Sequence, residues 1–358
     1  MKVKRIFIAC LVLGVMGLCA MFGTLDYWEK FGPPPEAVLD RAMRLKTIDA
    51  LVAKLNQFYV FPEKAKKIEA ILLQRHQKGT YDSIRSGYQL ARQLTADIRG
   101  IAKDLHMRVG YHPKMVLPDE VDGPEPTSRA EWEQQSNLFT RLIVRHKATR
   151  RMVQTDHLDG NIGYLKLSGF PEAFLIADTY ATAMYQLADT YGLIVDLRRN
   201  AGGDPESVAL LISYFVDQRR RLNDIWDRET GTTVQHWTAR QLDGKRYGGK
   251  KPVLILAGPD TASAGEDFAY TMQAMKRATV VGAPTWGGAH PTKAYRLGGH
   301  FIAWIPNQRS ISPITHTNWE GVGVTPDIAA TPEMALMVAK NLMWHRLRGT
   351  APPVAAEQ

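Results

Sequence analysis

After Cys19 the chain contains no cysteine: its two, Cys10 and Cys19, both lie near the N-terminus. The remainder can therefore hold no disulfide, no cysteine-ligated metal and no thiol nucleophile, and an oxidising compartment would not harm it. There is no internal repeat and no low-complexity segment, so the length allows one large domain or two smaller ones. The formal charge is +9, yet no basic stripe interleaves with aromatics, and no nucleic-acid partner is expected. The local clusters Arg219–Arg221 and Lys147–Arg151 read as a soluble basic surface or one drawn to anionic membrane. No residues stand at convincing metal-ligand spacing, so neither a metal nor a cofactor is expected.

One long uncharged run is present, and it is N-terminal. Lys2, Lys4 and Arg5 precede residues 6–23, which are apolar throughout. This pattern fits a signal peptide or a membrane anchor. No clear Ala-x-Ala site ends the run, and Leu18 before Cys19 makes a poor lipobox. An uncleaved anchor is the preferred reading, with the rest of the chain outside the cytoplasm because the positive flank stays inside.

Gly32-Pro33-Pro34-Pro35 then forms a stiff spacer. From Pro35 to about Ile101 apolar residues recur at three- and four-residue steps, among them Ile48, Leu51, Val52, Leu55 and Phe58. This predicts a bundle of three or four helices, with Pro62 opening one of them. Leu105–Tyr111 alternates like a strand. Positions 112–137, rich in Pro, Asp, Glu and Ser, read as a linker. Beyond them strands alternate with helices: strand 161–167, helix 173–187, strand 192–197, helix 207–215, strand 252–256, a helix, and strand 279–282. That order argues an α/β layered domain. Phe301–Ile305 and Ile311 suggest antiparallel strands, and Met334–Leu347 a closing helix.

The stretch with the most chemistry in it is Ala257–Glu266. It joins the buried strand to the helix that follows, and Ser263 stands near the junction among small residues. A hydroxyl there can be exposed beside helix-terminal N–H groups, as a nucleophile requires. The same residues also read as a plain helix N-cap, with Glu266 completing a capping box. Asn200-Ala201-Gly202-Gly203 follows another buried strand and permits a turn whose N–H groups face a cleft. Two further loops, Gly282–Gly288 and Trp319–Ile328, complete the set.

In this order the four stretches resemble the core of the S41 family of serine peptidases. That family includes the C-terminal processing (tail-specific) peptidases, the tricorn core and the interphotoreceptor retinoid-binding protein repeats. The resemblance covers roughly residues 45–330. It implies an α/β fold with a crotonase/ClpP-like spiral core, preceded by a small helical domain. It also implies a serine-type endopeptidase acting on extracytoplasmic polypeptides, periplasmic if the cell is Gram-negative. Accordingly we divide the chain into a signal peptide or anchor (1–32), a helical N-terminal domain (33–112), a linker (113–140) and a peptidase core (141–348).

By the same resemblance Ser263 is the nucleophile. The amide of Ala264, with that of Gly202 or Gly203, forms the oxyanion hole, each donor contributing about 3 kcal/mol. Processing peptidases take their base from a lysine in the loop after the serine helix. Here Gly288 holds that place, and Lys293 lies five residues on. The chain is instead similar to the retinoid-binding and tricorn branch, whose base is a histidine at the end of the helical domain. His106, within Asp104–Val109, matches it, and imidazole suits the task. Tyr59–Glu63 also resembles that branch. His112, His290 and His316 compete, His290 foremost. Glu320 matches an assisting glutamate of the tricorn core, and reads equally as a surface carboxylate. Asp196, Arg198 and Asp327 read as braces. The N-terminal lead resembles the nisin-resistance peptidases. Between His106 and Asn161 there is too little chain for a PDZ insertion, so tail-specific capture is not implied. Two other functions fit the scaffold: a non-catalytic protein binding an apolar ligand or peptide, and an acyl-CoA enzyme of the crotonase type.

Overall fold

Asp40 caps the first helix by accepting from the Met43 amide at 2.7 Å, and the periodic residues that follow bury one face of it. The structure, a computed structural model, describes residues 39–117, 128–136 and 152–349. The anchor reading of residues 6–23 lies outside them. No helix among the described residues is long and apolar enough to cross a membrane.

Three helices come first: α1 (Arg41–Phe58), α2 (Pro62–Gln77) and α3 (Gly87–Ala102). Pro62 opens α2 at a position where its missing N–H costs nothing. α3 ends on Lys103, whose left-handed backbone (φ 55°) turns the chain sharply. That turn delivers Asp104-Leu105-His106 just ahead of β1 (Arg108–Tyr111). A short helix, α4 (Arg129–Gln135), falls inside the stretch read as linker.

The central sheet is built from β2 (Val153–Leu158), β3 (Ile162–Leu167), β4 (Gly192–Asp196), β7 (Val253–Ala257), β8 (Thr279–Gly282) and β12 (Ile328–Ala329). Its order is β12-β8-β7-β4-β3-β2, parallel except for the β2–β3 pair. β4 and β7 are buried at every residue, as parallel strands covered on both faces must be. Val195 and Ile255 face the layer of α5 (Ala173–Leu187), α6 (Pro205–Ile212) and α7 (Ala264–Ala274). Ile194 and Leu254 face α8 (Ala335–Arg348) on the other side.

Two antiparallel sheets flank this core. β5 (Arg221–Asp227) pairs on one side with β6 (Thr233–Trp237) and on the other with β11 (Gln308–Ile311), and β1 pairs with β10 (Phe301–Pro306), which pairs with β9 (Thr292–Gly298). A separate apolar cluster joins α1–α3 to β1, β9 and β10. The helical region is thus stitched to the C-terminal half of the chain.

Neighbouring β4 and β7 run parallel, with Asp196 opposite Leu256. Their C-terminal ends therefore release the glycine turn and the serine turn side by side, in the crevice where open α/β sheets bind ligands. The β1–β10 pairing brings the loop holding His106 to the same rim.

Candidate active site

Ser263 precedes α7 with φ 52° and ψ −118°, a conformation that costs a non-glycine residue about 1–3 kcal/mol. The turn is held by Glu266, which is fully buried. One of its oxygens accepts from the Ser263 amide at 2.9 Å and the Gly288 amide at 3.0 Å. The other accepts from Thr285 Oγ1 at 2.5 Å and the Gly287 amide at 2.6 Å. Burial raises the Glu266 pKa, and these four donors oppose the rise. The capping residue foreseen in the sequence thus also ties the serine turn to the 285–288 loop. The capping carboxylate and a half-buried, cleft-lining serine occur together.

Gly202 packs on the serine. With φ +96°, a Cβ there would lie 2.6 Å from Ser263 Cβ and 3.0 Å from the Ala262 carbonyl oxygen, so no side chain is accommodated. Its amide is already engaged, donating to Asn200 Oδ1 at 2.9 Å. Among the described residues the amides of Gly203 and Ala264 have no acceptor, and both residues line the cleft. Asn-x-Gly is a common side-chain-capped turn, so this division between the two glycines had a sequence signal.

The cleft has a volume of about 1060 Å³, and Ser263 and His106 both line it. No hydrogen bond joins the two side chains among the described residues. The His106 ring stands edge-on to Trp286, centroids 4.9 Å apart. Its amide donates to Asp104 Oδ1 at 3.2 Å. Its Nδ1 is buried without a partner, which leaves Nε2 as the nitrogen open to the cleft. Burial pushes the imidazole down to about 4, against the pull of Asp104. Gly288 lies directly against the ring: a Cβ there would be 2.5 Å from His106 Cε1 and 2.8 Å from Nδ1. A lysine at 288 and this imidazole cannot share the space.

The other candidates are engaged elsewhere. Lys293 reaches Glu229 at 3.4 Å. His290 is buried, its Nδ1 3.0 Å from Asp104 Oδ2 and 3.3 Å from Glu320 Oε2. His316 is exposed at a left-handed turn, and His112 is exposed near β1. Glu320 is not a surface carboxylate. Its Oε2 accepts from the Ala289 amide at 2.6 Å, and its Oε1 is buried without a partner. Burial, then the Asp104 charge, raise its pKa well above the usual carboxylate range. Tyr59 donates to Asp104 at 3.3 Å. Asp104, His290 and Glu320 offer ligand atoms within 4.8 Å of one another and could in geometry hold a cation. Within the group His290 bonds Asp104, and the Asp104 charge raises the Glu320 pKa. Asp196 and Arg198 pair with each other at 2.7 Å, and Asp327 accepts from the Val280 amide at 2.7 Å, as braces do.

Sequence reasoning missed Asp104 and Trp286 as parts of the site, and read Glu266 only as a cap. Asp104 lies two residues from His106 and shows its role only once His290 is brought to it from 186 positions away.

The family model described as peptidase family S41 matches residues 161–330. The model described as the N-terminal domain of peptidase S41 in eukaryotic IRBP matches residues 38–147. The chain is 29% identical over 175 residues to carboxyl-terminal-processing peptidase 2, chloroplastic, of Arabidopsis thaliana, covering 46% of this chain and 31% of that one. It is 27% identical over 206 residues to a carboxy-terminal-processing protease of Bartonella bacilliformis, covering 53% and 42%. It thus spans less than half the length of these relatives. A solved lipoprotein structure from Streptococcus agalactiae shares the fold, with a TM-score of 0.55 at 14% identity, over 88% of this chain and 98% of that one.

Proposed function

The chain belongs to peptidase family S41, and from that premise we propose that it is a serine-type endopeptidase of extracytoplasmic polypeptides, built on a spiral α/β core. The observation that carries this reading is the serine turn itself. Ser263 is held in a strained conformation between two amides without acceptors, those of Gly203 and Ala264, in a cleft it shares with His106.

Ser263 Oγ attacks the peptide carbonyl while His106 Nε2 takes its proton, directly in the substrate complex or through one water. The developing oxyanion is met by the Gly203 and Ala264 amides, which need no reorganisation. Of the two glycines we assign Gly203, because the Gly202 amide is already donated to Asn200. His106 then returns the proton to the leaving amine, and water hydrolyses the acyl-enzyme. Glu320 takes the third position. Its Oε1 is buried without a partner, and its other oxygen stands 3.3 Å from His290, which bonds Asp104 beside the His106 loop. The close approach of Gly288 to the imidazole supports the histidine branch of the family over the serine–lysine branch.

A fluorophosphonate probe tests the reading. The wild-type protein should be labelled at Ser263 and should cut an unstructured polypeptide. Ser263→Ala should do neither while unfolding at the same temperature. An unlabelled wild-type protein would favour the ligand-binding alternative.

A further inference from the structure

The amide of Asp267 bonds the Ser263 carbonyl at 2.9 Å, so Asp267 stands in the first turn of α7, four residues after the nucleophile. Its side chain lines the cleft. One oxygen, Oδ1, is held by two donors: Asn223 Nδ2 at 2.5 Å and Thr271 Oγ1 at 3.0 Å. The other has no partner among the described residues and is not sealed from the cleft.

Nothing nearby neutralises this carboxylate fully. Among the described residues no lysine or arginine lines the cleft, and its remaining acids are Glu172, Asp204 and Glu206. His236 of β6 faces Asp267 and lies 3.5 Å from Glu206. Burial raises the Asp267 pKa while its bonds to Asn223 and Thr271 oppose the rise, and an opposite charge brought beside it would favour the ionised form. A chain with net charge +9 has therefore gathered acids where its substrate must lie. Phe170, Ile225 and Trp319 give the same cleft apolar walls, suited to the aliphatic stem of a long basic side chain.

We propose that Asp267 makes the cleft selective for peptides carrying lysine or arginine at the residue whose carbonyl Ser263 attacks. The proposal rests on the peptidase reading and adds the substrate class. A free C-terminal carboxylate meets no cation among the described residues of this cleft, so an internal basic residue is the better fit.

Asp267→Asn is the test, because the asparagine carbonyl can still accept from Asn223 and Thr271. Denatured casein is digested with the wild-type protein and the cut sites are mapped by mass spectrometry. kcat/KM is then compared for fluorogenic peptides differing only in lysine or leucine before the cut. Cuts should cluster after lysine and arginine, and the lysine-to-leucine ratio should fall by about ten- to a hundredfold in the variant, as loss of a charge-assisted contact implies. Fluorophosphonate labelling is run alongside. A wild-type protein that labels but cuts without regard to basic residues, or cuts none of the basic peptides, overturns the selectivity alone. So does an unmoved ratio. A protein that neither labels nor cuts overturns the peptidase reading as well.

Discussion

Acidification from pH 7 to pH 5 should cost the folded protein about 2 kcal/mol through His106 alone. Burial moves this imidazole from 6.5 to about 4, with Asp104 opposing and His290 and Arg99 adding to the shift. The unfolded chain titrates near 6.5, so it takes up a proton that the folded state refuses. The folded value is the depressed one. Stability carried by the neutral ring is therefore fully present above 6.5 and is lost as pH falls through the window from 6.5 to 4. At about 1.4 kcal/mol per pH unit the whole loss is roughly 3 kcal/mol, of which about 2 falls between pH 7 and 5. Urea unfolding at pH 5, 6 and 7 measures it, with His106→Asn as the reference that subtracts every other group. Glu320 is among those groups. Its raised pKa has the opposite sign, so its penalty eases on acidification. As the proposed base, His106 would work as the neutral ring, so kcat/KM on a peptide should rise through a limb below 6.5, and His106→Asn should lose roughly two to four orders of magnitude. Lys293→Ala, whose amine is turned to Glu229, should leave both measurements unmoved. Equal pH dependence in wild type and His106→Asn, a limb at or above 6.5, or an inactive lysine variant would each refute the reasoning.

Two further outcomes follow from the same structure. Glu266→Gln sets an amide NH2 against a site made only of donors. It should leave at least one of the Ser263, Gly287 or Gly288 amides unpaired, at about 1–3 kcal/mol, seen as a lower melting temperature together with reduced turnover. An unchanged melting temperature would show that the carboxylate does not hold the serine turn. On the anchor orientation expected from Lys2, Lys4 and Arg5 ahead of residues 6–23, protease added to intact spheroplasts should digest the domain. A domain that stays whole until lysis would count against that orientation.

Much of the layered core was legible in the sequence because its signals are local. Helix 173–187 and the buried strands near 192–197 and 252–256 stand where periodicity and apolar runs put them. The serine junction and the glycine turn are likewise products of small residues at strand ends. β5 and β6 escaped notice because β6 is largely exposed and β5 ends in polar residues, so neither shows a clean alternation. The pairing of β1 with β10 across some 190 positions also left no local trace.

What tertiary structure alone decided is the identity of the partners. The sequence by itself placed Ser263 at a strand-to-helix turn and offered His106, His290 and Lys293 as rivals. Only the packing of β1 on β10 brought His106 to the cleft, seated His290 between two carboxylates and turned Lys293 away. Periodicity reports which face of an element is buried, but not what meets it there. Hydrogen-bond partners, close approaches such as that of Gly288 to the imidazole, and the pKa shifts that burial imposes depend on residues far apart in the chain, and they exist only once the sheets have closed around the cleft.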